Sequence, residues 1–279
     1  MSLRKDEIRN KPFYRLSRRG YLWLRNALCR NSIHPSPVFV LGNQKSGTSA
    51  IAGLLAKASG NEITMDIRGI YEPALGRLHA GKLDFDRWVR NNRWELANPI
   101  IKEPMLTFLY PHLKKCFPGS SMVFVIRDPR DNIRSILDRL NLSGDRERVP
   151  DEKMAALSPE WRSILCGTYQ RAHASHYVEQ LAIRWTEAAE VYLQSKNDFT
   201  LVRYEDFLED KESELLRVAP KTGLSFRHDV KHLLNYPFQP PGTGQSPETF
   251  FGKRNLSRIE EVCFDYTKIF EYPQYTRKL

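Results

Sequence analysis

Residues 37–50 of this 279-residue chain, PVFVLGNQKSGTSA, limit its fold more than any other segment. Val38 to Leu41 are apolar without interruption, as in a parallel strand buried on both faces. The run breaks at Gly42, and a helical pattern of Ile51, Leu54, Leu55 and Ala58 begins just after Gly47. A strand, a glycine loop and a helix bring backbone N–H groups and a helix N-terminus around a phosphate. Ser46, Thr48 and Ser49 add hydroxyl donors to the lysine of the loop. The loops that bind nucleoside triphosphates put that lysine directly after the second glycine, where it reaches the β- and γ-phosphates. Here Thr48 fills that slot and Lys45 stands two residues before Gly47. The loop is therefore expected to hold a phosphate other than that of ATP or GTP.

A second site is written downstream. Residues 121–126, SMVFVI, read as another buried strand and lead into Arg127-Asp128-Pro129-Arg130-Asp131. Asp128 suits a helix N-cap and Pro129 a first helical position, ahead of an apolar stripe of Ile133, Ile136, Leu137 and Leu140. Arg127 then lies at the carboxyl end of a strand, where open α/β sheets bind ligands. Ser135 follows eight residues later, about two turns into the helix. A phosphate-activating enzyme of the triphosphate type would end this strand in a Mg²⁺-holding Asp. Arginine in that place argues for a second anion and against a metal. Strands alternating with longer helical patterns predict an α/β fold, a three-layer parallel sheet flanked by helices.

Taken together, Lys-Ser-Gly-Thr after the first strand and Arg-Asp-Pro-Arg-Asp with a serine eight residues past Arg127 resemble the sulfotransferases that use 3′-phosphoadenosine-5′-phosphosulfate (PAPS). Residues 201–207, LVRYEDF, are similar to that family's strand-end segment, 223–226 (GLSF) to its short following step, and 252–255 (GKRN) to its late basic loop. The resemblance spans residues 37 to 272 and implies a P-loop-like sulfotransferase fold. It implies that Lys45, Ser46, Gly47, Thr48 and Ser49 cradle the 5′-phosphosulfate. Arg127 and Ser135 would hold the 3′-phosphate, Lys253 and Arg254 would close over it, and Tyr204 would meet the adenine. The product would be 3′,5′-ADP. Lys45 would also stabilise charge on the departing phosphate oxygen.

Sulfuryl transfer still needs a base for the acceptor hydroxyl. Many cytosolic members carry a histidine two residues after a lysine that Lys102 matches, but Pro104 occupies that place here. This departure turns the expectation from phenols and steroids towards the carbohydrate and tyrosyl-protein branches. Glu72, in Tyr71-Glu72-Pro73, is the first candidate base. Glu103 is the second, and His112, on an expected helix over 106–115, the third.

The remaining features bound the reading. With 41% hydrophobic and 27% charged residues, the chain has ample core for one domain over 35–279, preceded by an arm over 1–34. No run approaches the ~20 apolar residues that span a bilayer, and no signal peptide is evident, so a cytoplasmic, bacterial-type enzyme is expected. Cys29, Cys116, Cys166 and Cys263 lack metal spacing and read as reduced. Residues 1–30 hold nine Lys/Arg against Asp6 and Glu7, which leaves only +3 of the net +10 elsewhere. That arm reads as a helix with a solvated basic face, with peripheral contact to an anionic membrane as the sharper option. No nucleic-acid module is recognisable. Residues 141–175 are expected to form an acceptor lid, His173 and His176 to share a helix face without binding metal, and 240–244 to be a loop. The expected activity is transfer of a sulfuryl group from PAPS to a hydroxyl of a carbohydrate or other polar metabolite. The alternatives are a small-molecule kinase using Mg-ATP and a non-catalytic protein that binds nucleotide or a membrane surface.

Overall fold

The computed structural model describes residues 33–235 and 245–273. The basic arm over 1–30, Cys29 and the 240–244 segment lie outside them. Five strands form one parallel sheet: β1 (Val38–Gly42), β2 (Ile63–Met65), β3 (Ile100–Lys102), β4 (Ser121–Ile126) and β5 (Phe199–Arg203), in the order β2-β3-β1-β4-β5. From β1 the chain crosses to β2 on one side, and from β3 it crosses back over β1 to β4 on the other. The connections thus diverge at β1, and the crevice beyond its carboxyl end is the ligand position of such sheets. The loop 42–47 occupies that crevice.

Alternation along the strands sorts the core into two layers. Phe39 and Leu41 of β1 and Met122, Phe124 and Ile126 of β4 face one side. On that side pack α5 (Pro129–Leu140), α8 (Tyr177–Gln194) and α11 (Pro247–Ile269). Val38, Val40, Val123 and Val125 face the other side, against α1 (Thr48–Ser59), α9 (Tyr204–Glu209) and α10 (Lys211–Lys221). Between β2 and β3 lie α2 (Ala74–His79) and α3 (Phe85–Asn91). A 3₁₀ turn, Pro104–Leu109, precedes α4 (Tyr110–Cys116), so the helix expected over 106–115 is divided where the hydrogen-bond period changes. Two short helices, α6 (Asp151–Ala156) and α7 (Pro159–Leu165), fill the segment after α5.

Local chemistry sets the ends that matter. Asp128 caps α5 by accepting the Arg130 N–H at 2.9 Å, with Pro129 in the first turn, as its sequence predicts. His176 caps α8 through Nδ1, which accepts the Val178 N–H at 3.2 Å. His173 precedes that helix in irregular chain, so the two histidines do not share a helix face. Gly252, at φ 66° and ψ 166°, interrupts α11, and Lys253 and Arg254 begin its longer second part.

Candidate active site

The loop after β1 is built from close approaches that only glycine allows. At Gly42 (φ 139°) a Cβ would stand 2.2 Å from the Val125 carbonyl oxygen, and at Gly47 (φ 97°) 2.2 Å from the Tyr204 ring. Thr107 clasps the strand end: its Oγ accepts the Gly42 N–H at 2.9 Å and donates to the Gly42 carbonyl at 3.1 Å. Gly47 is the N-cap of α1 and no side chain caps that end. The first-turn N–H groups of Thr48 and Ser49 lack intrahelical partners by geometry and carry the positive end of the helix dipole. Ser46 and Thr48 are buried beneath the loop, while Lys45 and Ser49 are half-buried at its face.

Lys45 has a left-handed backbone, φ 68°, a conformation that costs a non-glycine residue roughly 1–2 kcal/mol. Its ammonium is held down to about pKa 8 by burial, then by Arg139, Arg127 and Lys102, with Asp138 acting weakly the other way. Three further cations therefore act on the charge of Lys45. Each of the four arrives from a different element: Lys45 from the loop, Lys102 from the end of β3, Arg127 from the end of β4 and Arg139 from the last turn of α5. Cations brought together from several elements raise the local positive potential, which suits an anion.

Arg127 is placed from three sides. Trp185 Nε1 donates to its carbonyl at 2.8 Å, its guanidinium donates to the Lys45 carbonyl at 3.4 Å, and its Cζ stands 4.9 Å from the Tyr204 ring centre. Tyr204 thus forms a wall between Gly47 and Arg127. Glu205 beside it serves the backbone, accepting the Asp128 N–H at 2.9 Å. Ser135 is half-buried on α5, two turns beyond Arg127. Lys253 is exposed, and Arg254 pairs with Glu147 at 2.7 Å.

The carboxylates separate clearly. Glu103 is only 2% exposed, and its two oxygens accept the Ile67 N–H at 2.8 Å and the Met105 N–H at 2.9 Å. Burial pushes its pKa up to about 7, with Asp66 adding and Lys102 opposing. It braces the turn after β3 from inside. Lys102 is paired with Asp66, which follows β2 in a left-handed conformation, φ 62°. Glu72 is half-buried and accepts from the Tyr169 hydroxyl through Oε1 and from the Gly76 N–H at 3.2 Å through Oε2. Tyr169 stacks on His79 at 4.8 Å, and burial together with Glu72 pushes its pKa up to about 12, so it stays a donor. His112 is exposed beside Phe85.

Sequence reasoning missed two buried polar residues that shape the loop. Asn132 is fully buried in α5 and bonds Asn43, Gln44 and Ser46. Arg184 of α8 donates to Gln44 Oε1 at 3.1 Å and lies 3.8 Å from the Phe108 ring centre, its pKa lowered to about 9 by burial. The available signal was a polar residue on an otherwise apolar stripe, beside Ile133 and Ile136 for Asn132 and beside Leu181 and Trp185 for Arg184.

The model of the sulfotransferase family matches residues 75–228, just over half of the chain; the match takes in Lys102, Arg127, Ser135 and Tyr204 and begins after the glycine loop. No curated protein matches. Among solved structures, a sulfotransferase from Mycobacterium avium superposes with a TM-score of 0.56 at 12% identity, over 92% of this chain and 82% of that one. A sulfotransferase from Mycobacterium tuberculosis gives 0.52 at 12% identity, over 88% and 80%. At such identities these likenesses speak for the fold: five parallel strands between helical layers.

Proposed function

The chain belongs to the sulfotransferase family, and we propose that it moves a sulfuryl group from PAPS to a hydroxyl of a carbohydrate or other polar acceptor. The observation that carries this reading is the uncapped N-terminus of α1 beside Lys45, with the Arg127 guanidinium hydrogen-bonded to the Lys45 carbonyl and with Lys102 and Arg139 near enough to act on the Lys45 charge. A donor with separated 5′ and 3′ anions needs cations from more than one element, and here they come from four. The glycine loop fits as well, since Gly47 lets the Tyr204 ring pack against the backbone at the N-terminus of α1, whose N–H groups suit a phosphate.

In this reading the donor supplies an electrophilic sulfur whose bond to the phosphate oxygen breaks as the acceptor oxygen bonds to it. The N–H groups of Thr48 and Ser49, with Lys45, hold the 5′ end and receive the negative charge that develops on the departing phosphate oxygen. Arg127 and Ser135 take the 3′-phosphate, and Tyr204 takes the nucleoside between them. Lys253 and Arg254 join only if the Arg254–Glu147 pair opens. Glu72 accepts the proton of the acceptor hydroxyl. It is the better base than Glu103 because it is less buried and because one of its bonds is to a hydroxyl that can turn. The polar side chains gathered around it, Tyr169, His79 and Glu160 (whose Oε1 accepts the Glu72 N–H at 2.9 Å), favour a polyhydroxyl acceptor over a flat apolar phenol.

Calorimetric titration tests the donor. Metal-independent binding of 3′,5′-ADP, tighter than that of 5′-AMP, is expected; binding only of ATP with Mg²⁺ would hand the site to the kinase reading. With an acceptor in hand, Glu72→Gln should keep that affinity and lower kcat by roughly 10²–10⁴-fold. Unchanged turnover would remove Glu72 as the base, and absent turnover in the wild type across polar acceptors would favour a binding protein.

A further inference from the structure

Resting on that reading of the donor site, we infer that Asn132 is a positioning residue that joins the two anion-binding segments into one receptor of fixed spacing. Its side chain is completely buried in the first turn of α5, where its own N–H donates to the Asp128 carbonyl at 2.8 Å. From there Nδ2 donates to the Gln44 carbonyl at 2.8 Å and to Ser46 Oγ at 3.0 Å, and Oδ1 accepts from Asn43 Nδ2 at 3.0 Å. Both amide hydrogens and the carbonyl oxygen are thus engaged by the loop.

The two Nδ2 bonds bracket Lys45, the residue with the left-handed backbone. Gln44 is held on one side of it and Ser46 on the other, so its φ of 68° is fixed from outside the residue. The same side chain is anchored in the helix that carries Ser135 one turn later and that starts directly after Arg127. Loop and helix therefore move together. A ligand bound at one segment gains from this link only if it also reaches the other, because fixed spacing turns the second contact into an intramolecular one. A ligand with one anion gains little.

This difference separates positioning from plain stabilisation. The test is calorimetric affinity for three probes, 3′,5′-ADP, 5′-AMP and 3′-AMP, in the wild type, Asn132→Ala and Asn132→Leu. Leucine keeps the branched shape of asparagine without its hydrogen bonds and adds no charge. We expect the variants to bind 3′,5′-ADP at least tenfold more weakly and each monophosphate no more than threefold more weakly. Equal losses for all three probes, or unchanged 3′,5′-ADP affinity, would overturn the inference. If neither substitution folds, Asn43→Ser removes the bond to Oδ1 from the loop side and is held to the same comparison. Failure of the donor reading shows elsewhere, in a wild type that binds 3′,5′-ADP no better than 5′-AMP; that result refutes both.

Discussion

If Lys45 holds the 5′ anion, the affinity of the site depends on pH. The pKa of Lys45 falls from 10.5 in the free side chain to about 8, through burial first and then through Arg139, Arg127 and Lys102. A bound 5′ anion supplies the opposite charge and favours the protonated form, so the complex should hold the Lys45 proton to higher pH than the free protein does. Between those two pKa values, binding takes up a proton and affinity falls as pH rises. If the anion restores the ordinary value, affinity for 3′,5′-ADP drops about twentyfold between pH 7.5 and 9.5, or ~1.8 kcal/mol. The ligand does not contribute to this slope, because the second phosphate pKa lies near 6.

The assay is calorimetry at several pH values in buffers of different ionisation enthalpy, which also counts the protons. Uptake approaching one proton near pH 9 is expected. Lys45→Met should bind more weakly at pH 7.5 and lose the slope. A flat affinity from pH 7.5 to 9.5, or the same slope in Lys45→Met, would refute the reasoning, because the anion would then not be touching Lys45.

Gly47→Ala puts a Cβ 2.2 Å from the Tyr204 ring at φ 97°; the backbone conformation alone costs roughly 1–2 kcal/mol. Thermal unfolding should register that loss and calorimetry the disappearance of 3′,5′-ADP binding; a variant that binds normally would show the loop tolerating what its geometry forbids. Arg184→Met replaces a buried cation that contacts Met105 and Phe108 and has no carboxylate hydrogen-bonded to it among the described residues. Unfolding stability should be unchanged or higher, and a loss above ~2 kcal/mol would mean that the Gln44 bond outweighs the desolvation. Glu103 and His79 act oppositely on the pH profile. The folded pKa of Glu103 is raised to about 7, so its effect lowers stability as pH climbs from 4.5 to 7; that of His79 is lowered to about 4, by burial and then Arg184, so its effect raises stability from pH 4 to 6.5. His79→Phe keeps the stack on Tyr169 and leaves the Glu103 slope unopposed: from pH 5 to 6.5 the variant should lose about 1 kcal/mol relative to the wild type, allowing for the part exposure of His79. Parallel profiles would count against this assignment.

What was legible in the sequence was local. β1 with its loop and β4 with the Asp128 cap declare themselves within a dozen residues, because a buried apolar run, a glycine and a capping residue act over that range. β2 and β3 are three residues each, and their extent is set by pairing with β1 and with each other, which no local pattern encodes. Side-chain direction was equally hidden. Glu103 directly follows β3 and Glu72 stands seven residues past β2, and neither position tells that the first turns inward to two backbone N–H groups while the second faces Tyr169. His173 and His176 have helical spacing, but His176 is itself the cap of α8 and His173 lies before it.

A perturbed pKa does not by itself mark chemistry, and Glu103 and Lys45 show why. Glu103 is raised because it is buried, and both its oxygens already serve backbone donors. Titrating it affects folding and leaves no atom for a substrate. Lys45 differs in that two unfavourable features meet at one half-buried residue: a left-handed backbone and the repulsion of three cations. Arg127 even donates to the Lys45 carbonyl, which draws one of those cations closer. Nothing in folding requires that arrangement, since glycine at position 45 would remove both the strain and one of the charges. In the proposed function an anion among these cations would offset their repulsion, which makes the arrangement intelligible as preorganisation for the bound state. The same logic makes Asn132, rather than the Lys45 side chain, responsible for the backbone shape: its two donor bonds, to the Gln44 carbonyl and Ser46 Oγ, offset the strain from outside Lys45.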